Sequence, residues 1–179
     1  MLNTSSIVLA DCLLVSQSRS GSGDLFMIVD VNDTTGSAAG TSKKIDSKYI
    51  IQTDKISVSN AEVQDLVANP KTLVGALSGY YINVFQATIF VTYAASTESS
   101  GHDLILTYDT SSTGKYITMR SFMTGKTTDI TFVLNAVAGG AGNCDTSILN
   151  KPFLMTSGGN FNGGWSADVY VTYSYIKIL

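Results

Sequence analysis

The chain is poor in the residues that do chemistry. Its 179 residues include one histidine, one tryptophan, two cysteines and two prolines, and only 14% are charged. The two cysteines, Cys12 and Cys144, lie far apart in unlike contexts, so neither a zinc site nor a disulfide framework can be read from them, and both are expected as free, buried thiols. The 11 basic residues form no long run and the formal net charge is -3, which leaves no electrostatic footprint for nucleic acid. No apolar stretch approaches the roughly 18 to 20 residues needed to span a bilayer as a helix. The opening MLNTSSIVLADCLLV has an apolar patch, but no Lys or Arg precedes it and Asp11 interrupts it, so a secretory signal peptide is not expected. In LADC, Asp11 also stands where a lipoprotein cleavage box wants a small apolar residue.

What is present is apolar and small polar. Hydrophobic residues make up 44%, so with few charges the surface must be largely Ser, Thr, Asn and Gly, the composition of a β-rich structural domain. The length suits one compact domain or one domain with a small appendage. Residues 1–56 read as a small β-rich N-terminal region: SIVLADCLLVSQ, an apolar strand over Leu25 to Val31, a Gly/Ser/Ala loop, and a short segment around Ile45 and Tyr49 to Ile51. In ISVSNAEVQDLVANPKTLV, Ser59 and Glu62 form a capping box, Val58 and Val63 have the spacing of a hydrophobic staple, and Val63, Leu66 and Val67 share a helical face that Pro70 ends. The rest is strands. GYYINVFQATIFVTYAA alternates, with Phe85, Ala87, Ile89, Val91 and Tyr93 on one side, and DLILTYD, KYITMRSF, DITFVLNAV, KPFLMTS and ADVYVTYSYIKIL follow, each bounded by turn residues. About six strands with no helix between them predict an antiparallel sandwich over residues 57–179, of jelly-roll type.

Candidate sites are few. His102 has Asp103 and serines beside it, but no G-x-S-x-G turn accompanies it, and no catalytic residue is assigned. TGKTTD ends like a phosphate-binding loop, yet Arg120 holds the place of the required glycine and a strand follows, so it reads as a hairpin turn. DVNDTTG offers Asp30, Asn32 and Asp33 as oxygen ligands, but its glycine is one place late for a calcium loop and Thr41 stands at the twelfth position, so a surface turn is expected and no metal or cofactor. The glycine-rich GGAGNCD and SGGNFNGGW are read as sandwich loops with Trp165 packed at the rim; the alternative is a sugar stacked on Trp165. No pair of carboxylates supports glycoside hydrolysis.

The succession VSNAEVQDLVANPKTLVGALSGYYINVFQATIFVTYA, GHDLILTYD and NKPFLMTSGGNFNGGWSADVYVTYSYI resembles the small jelly-roll domains of tailed-bacteriophage virion proteins, similar in architecture to tumour necrosis factor. The segments LADCLLVSQ, DLFMIVDVN and SKKIDSKYI are similar to short phage-protein segments at the start of fibre or tail proteins, which implies an attachment or oligomerisation role for residues 1–56. The resemblance implies a homotrimer. The last strand places Val169, Val171, Tyr173 and Tyr175 on one face and Tyr170, Thr172, Ile176 and Ile178 on the other; both are apolar, so one packs the core and the other a neighbour. The first set is expected near the symmetry axis.

The functional expectation is a non-enzymatic virion structural protein, a capsid decoration or short head fibre. It would be made in the host cytoplasm and would contact the major capsid protein or a tail or fibre component. The alternative is a receptor-binding tip of the tail that takes a host-surface glycan or protein on loops 94–103, 138–147 and 157–166, with His102, Asn160, Asn162 and Trp165 facing the ligand. A secreted lectin or cytokine-like ligand would need export, and a carbohydrate hydrolase lacks an acid and base. Neither nucleic acid nor membrane is expected as a partner.

Overall fold

A computed structural model describes residues 25–30, 41–46, 50–108, 115–135 and 148–177. The elements in chain order are β1 (Leu25–Asp30), β2 (Thr41–Asp46), β3 (Gln52–Val58), α1 (Asn60–Gln64), β4 (Lys71–Val74), β5 (Tyr80–Ala95), β6 (Leu104–Thr107), β7 (Lys115–Met119), β8 (Ile130–Asn135), β9 (Phe153–Ser157) and β10 (Gly164–Lys177). The first two strands pair antiparallel as a ribbon of their own. The other eight form two four-stranded antiparallel sheets, ordered β3-β10-β5-β8 and β4-β9-β6-β7. Between β3 and β10 the chain passes to the opposite sheet at every connection except β6 to β7, which is the winding of a jelly roll.

Alternation explains why these strands stack. On β10, Trp165, Ala167, Val169, Val171 and Tyr173 are buried while the residues between them are half-buried on the outer face. On β5 the opposing Val91, Ile89 and Ala87 point the same way, and Leu104, Leu106, Phe153 and Met155 meet them from the second sheet. Each such side chain contributes roughly 1.5–3 kcal/mol by leaving water, which outweighs the weak local propensity of short strands. A bulge sets two residues of β10, Thr172 and Tyr173, against Gln86 and Val84 and leaves Phe85 unpaired. The bulge shifts the inward set to Val84 and Ile82 and leaves Phe85 exposed, against the expectation that Phe85 shares a face with Ala87.

The capping box forms: the Ser59 amide donates to Glu62 Oε2 at 2.8 Å and the Glu62 amide to Ser59 Oγ at 3.4 Å. Val58 and Val63 are both buried as a staple requires. The helix is shorter than its pattern suggests. After Gln64 the chain tightens into turns, with Asp65 accepting the Asn69 amide at 2.8 Å and the Asn69 side chain at 2.6 Å, so Leu66 is buried but Val67 is exposed. Pro70 then leads into β4.

Three further sequence expectations need correction. The sandwich begins at Gln52, because β3 pairs with β10 from Tyr173↔Gln52 to Ala167↔Val58; the boundary at residue 56 cuts this strand. Its inward positions include Gln52 and Asp54, so no apolar alternation marks it. Strand β4 was likewise absent from the expectation. Finally, Val169, Val171 and Tyr173 face the core of their own subunit rather than a neighbour, being 0%, 0% and 4% exposed. The segment SIVLADCLLVSQ, Cys12, Asn32, Asp33, Tyr49, loop 138–147 with Cys144, and Ile178 lie outside the described residues. Among the described residues, no helix is long and apolar enough to cross a membrane.

Candidate functional site

Register places four connections at one end of the sandwich. The ends of β3, β5, β7 and β9 and the starts of β4, β6, β8 and β10 meet there. Two of the loops proposed for ligand contact, 94–103 and 157–166, therefore converge, whereas Asn135 and Phe153, which flank the third, stand at the opposite end.

The centre of this end is a carboxylate that sequence reasoning missed. Glu98 is 2% exposed. Its Oε2 accepts from the Gly163 amide at 2.8 Å, the Asn162 amide at 3.1 Å and the Trp165 indole N–H at 3.3 Å, and its Oε1 from the Ser100 amide at 2.9 Å. The Glu98 carbonyl also accepts the Gly125 amide at 2.9 Å, which ties in the β7–β8 connection. Burial pushes the Glu98 carboxyl up, but hydrogen bonds from Ser100, Gly163 and Trp165 outweigh burial and hold it below its ordinary value. Helix α1 joins from the other side, as Asn60 Nδ2 donates to the carbonyls of Gly163 and Trp165, each at 2.9 Å. The only sequence signal for Glu98 is that no other acid lies between Asp65 and Asp103.

The predicted ligand residues sit around this hub in different states. Trp165 is 1% exposed and packs edge-on against Phe122 and Phe161, each centroid 5.2 Å away, so it is core and offers no stacking face. His102 is half-buried, and its imidazole fills the space beside Gly159, where an added Cβ would lie 2.2 Å from Cε1. Asp103 accepts the Ser121 amide at 3.0 Å, and no hydrogen bond joins it to His102, so the two do not form the relay that a hydrolase needs. Asn162 is exposed but engaged, accepting the Ser99 amide and donating to Ser99 Oγ, both at 3.0 Å. Asn160 is exposed. TGKTTD lies in the connection from β7 to β8, which crosses from one sheet to the other, so it is not the hairpin turn expected from the sequence. No cluster of three or more metal-ligating side chains occurs among the described residues.

A second feature is the outer face of the β3-β10-β5-β8 sheet. Phe90 is 45% and Val133 57% exposed, and Phe90 meets Tyr170 edge-on at 5.5 Å. Around them lie Thr88, Thr131, and Thr53 and Thr172, whose hydroxyls bond at 2.9 Å. Lys55 closes one side, 5.8 Å above the Tyr170 ring and 2.8 Å from Asp168, which also accepts Ser57 Oγ at 2.6 Å. Of the residues expected at an axis, Tyr175 alone is only half-buried; its hydroxyl donates to the Gly75 carbonyl at 2.8 Å, and its ring meets Tyr173 at 5.5 Å and Tyr80 at 6.3 Å.

Comparison with protein-family models, characterised proteins and solved structures finds no match to this chain.

Proposed function

We propose that the chain is a non-enzymatic structural module of a tailed-phage virion, a capsid decoration or short head fibre that assembles as a homotrimer. One observation carries the reading: a jelly-roll sandwich that buries one face of β10 and β5 still presents Phe90, Tyr170 and Ile176 outward from the β3-β10-β5-β8 sheet. Apolar surface of that kind, edged by polar residues, is what protein contacts cover. The neighbour's face is thus the even-numbered set of β10, not the set at Val169 and Val171. The residues that precede Gln52 would supply attachment to the major capsid protein or a tail component, and a threefold module gains from meeting equivalent partners three times.

The second reading, a receptor-binding tail tip for a host-surface glycan or protein, draws on the braced loop end with His102, Asn160 and Asn162 on it. Both are tested by imaging virions labelled with an antibody to the purified protein. Label over the head is expected; label confined to the tail end would replace the first reading with the second, and absence of label would sink both. The threefold contact is tested by sedimentation, with Tyr170→Asp and Phe90→Asp expected to abolish threefold assembly.

A further inference from the structure

A second contact between copies is written into one strand edge. The two sheets have four edge strands, β3, β8, β4 and β7. Natural sheets protect such edges with charge, proline or distortion, because unpaired N–H and C=O groups template another strand. Strand β3 carries Asp54 and Lys55, β4 begins with Lys71 directly after Pro70, and β7 begins with Lys115 and is followed by Arg120. Strand β8, ITFVLN, has none of these. The acid that precedes it, Asp129, is exposed but engaged on the β5 side, away from the free edge, where it accepts the Tyr93 amide at 2.8 Å. Its register with β5 is unbroken from Gln86↔Asn135 to Val91↔Ile130, so no bulge twists the edge away, and no strand pairs with its other side among the described residues. Val133, at 57%, is the most exposed large hydrophobic residue of either sheet.

We infer that β8 is a twofold docking strand that pairs antiparallel with β8 of a second copy and joins two sheets into one of eight strands. The sequence is self-complementary for this arrangement. Antiparallel partners share a face, so a twofold through Val133 sets Val133 against Val133, Thr131 against Asn135 on the outer face, and Phe132 against Leu134 on the core face. No charge meets a like charge, and the half-buried Phe132 and Leu134 at the open end of the core become covered. Being twofold and at an edge, the contact is separate from the threefold contact proposed at Tyr170; the two together generate hexamers or a surface array.

The test is analytical ultracentrifugation of the full chain. Val133→Lys, a change at an exposed position, is expected to remove the twofold contact, halving the mass of a dimer or hexamer and breaking an array down to trimers, with the thermal transition retained. In a Cys12→Ser, Cys144→Ser background, Val133→Cys is expected to form an intersubunit disulfide under mild oxidation and Thr92→Cys, exposed on β5, is not. An unchanged mass in Val133→Lys, or cross-linking of Val133→Cys no faster than Thr92→Cys, overturns the inference. Either result is independent of the Tyr170→Asp experiment, which reads only the threefold contact.

Discussion

The Trp165 indole donates to the Glu98 carboxylate at 3.3 Å, joining the only tryptophan to the one acid buried in the sandwich among the described residues. The pair links the start of β10 to the β5–β6 connection, and through Gly125 and Asn60 the same few atoms hold all four connections of that end. Removing one member has consequences beyond one bond.

Glu98→Ala leaves the amides of Ser100, Asn162 and Gly163 and the Trp165 indole without their acceptor. With a buried unsatisfied donor costing about 1–3 kcal/mol, and some regaining water, a loss of roughly 3 kcal/mol is expected. Glu98→Gln retains one acceptor oxygen but turns an amide toward donors, so an intermediate loss is expected. Urea unfolding followed by Trp165 fluorescence measures both.

Acid should weaken the fold. The Glu62 carboxyl is lowered to about 2 by the Lys71 ammonium and then by the Ser59 amide and hydroxyl, and the Glu98 carboxyl also lies below its ordinary value. Groups whose native values are depressed contribute stability that is complete above the unfolded value of 4.5 and disappears as pH falls toward the native one. Urea midpoints should therefore hold steady between pH 7 and 5 and fall below about 4.5. Glu62→Gln should flatten part of that fall, and a parallel curve for the variant would exclude Glu62 as a contributor.

Tyr173 is a folding residue. Its ring is buried and its hydroxyl donates to Asp54 Oδ2 at 2.7 Å. Tyr173→Phe should cost about 1 kcal/mol, the usual net value of a hydrogen bond, or somewhat more because the acceptor is charged. Tyr173→Asp should abolish the cooperative thermal transition, whereas Tyr170→Asp should keep it and change only the mass in solution.

The two glycines at the entry to β10 differ from Gly158 in what surrounds them. A Cβ on Gly164 would lie 2.7 Å from the Ala95 carbonyl oxygen, and one on Gly163 would meet Glu98 atoms at 2.9–3.0 Å, while Gly158 has only ordinary contacts from 3.7 Å. Backbone atoms cannot swing aside, so Gly164→Ala is expected to cost about 1–3 kcal/mol as overpacking does. Gly158→Ala should be nearly neutral. Thermal melts of the two variants separate them.

Much of the fold was legible because burial repeats with period two or is announced by caps. The capping box at Ser59, the staple of Val58 on Val63, and the runs at Ala87–Ile89–Val91 and Val169–Val171 are local signals, each read from residues a few positions apart. Strand β3 was not legible, since its core-facing Asp54 is satisfied by a tyrosine 119 residues away. Phe85 was misplaced because a bulge depends on the partner strand. Glu98 was invisible because its donors come from residues 2 to 67 positions further along the chain.

By itself the sequence determined a β-rich, charge-poor sandwich with one capped helix, since composition, alternation and turn residues act through neighbours along the chain. Which face of β10 is core, that Trp165 lies beneath the loops rather than on them, and that Glu98 gathers one end were decided by tertiary structure. Each depends on groups far apart in sequence meeting at hydrogen-bonding or packing distance, and a periodic pattern with two apolar faces carries no sign saying which one turns inward.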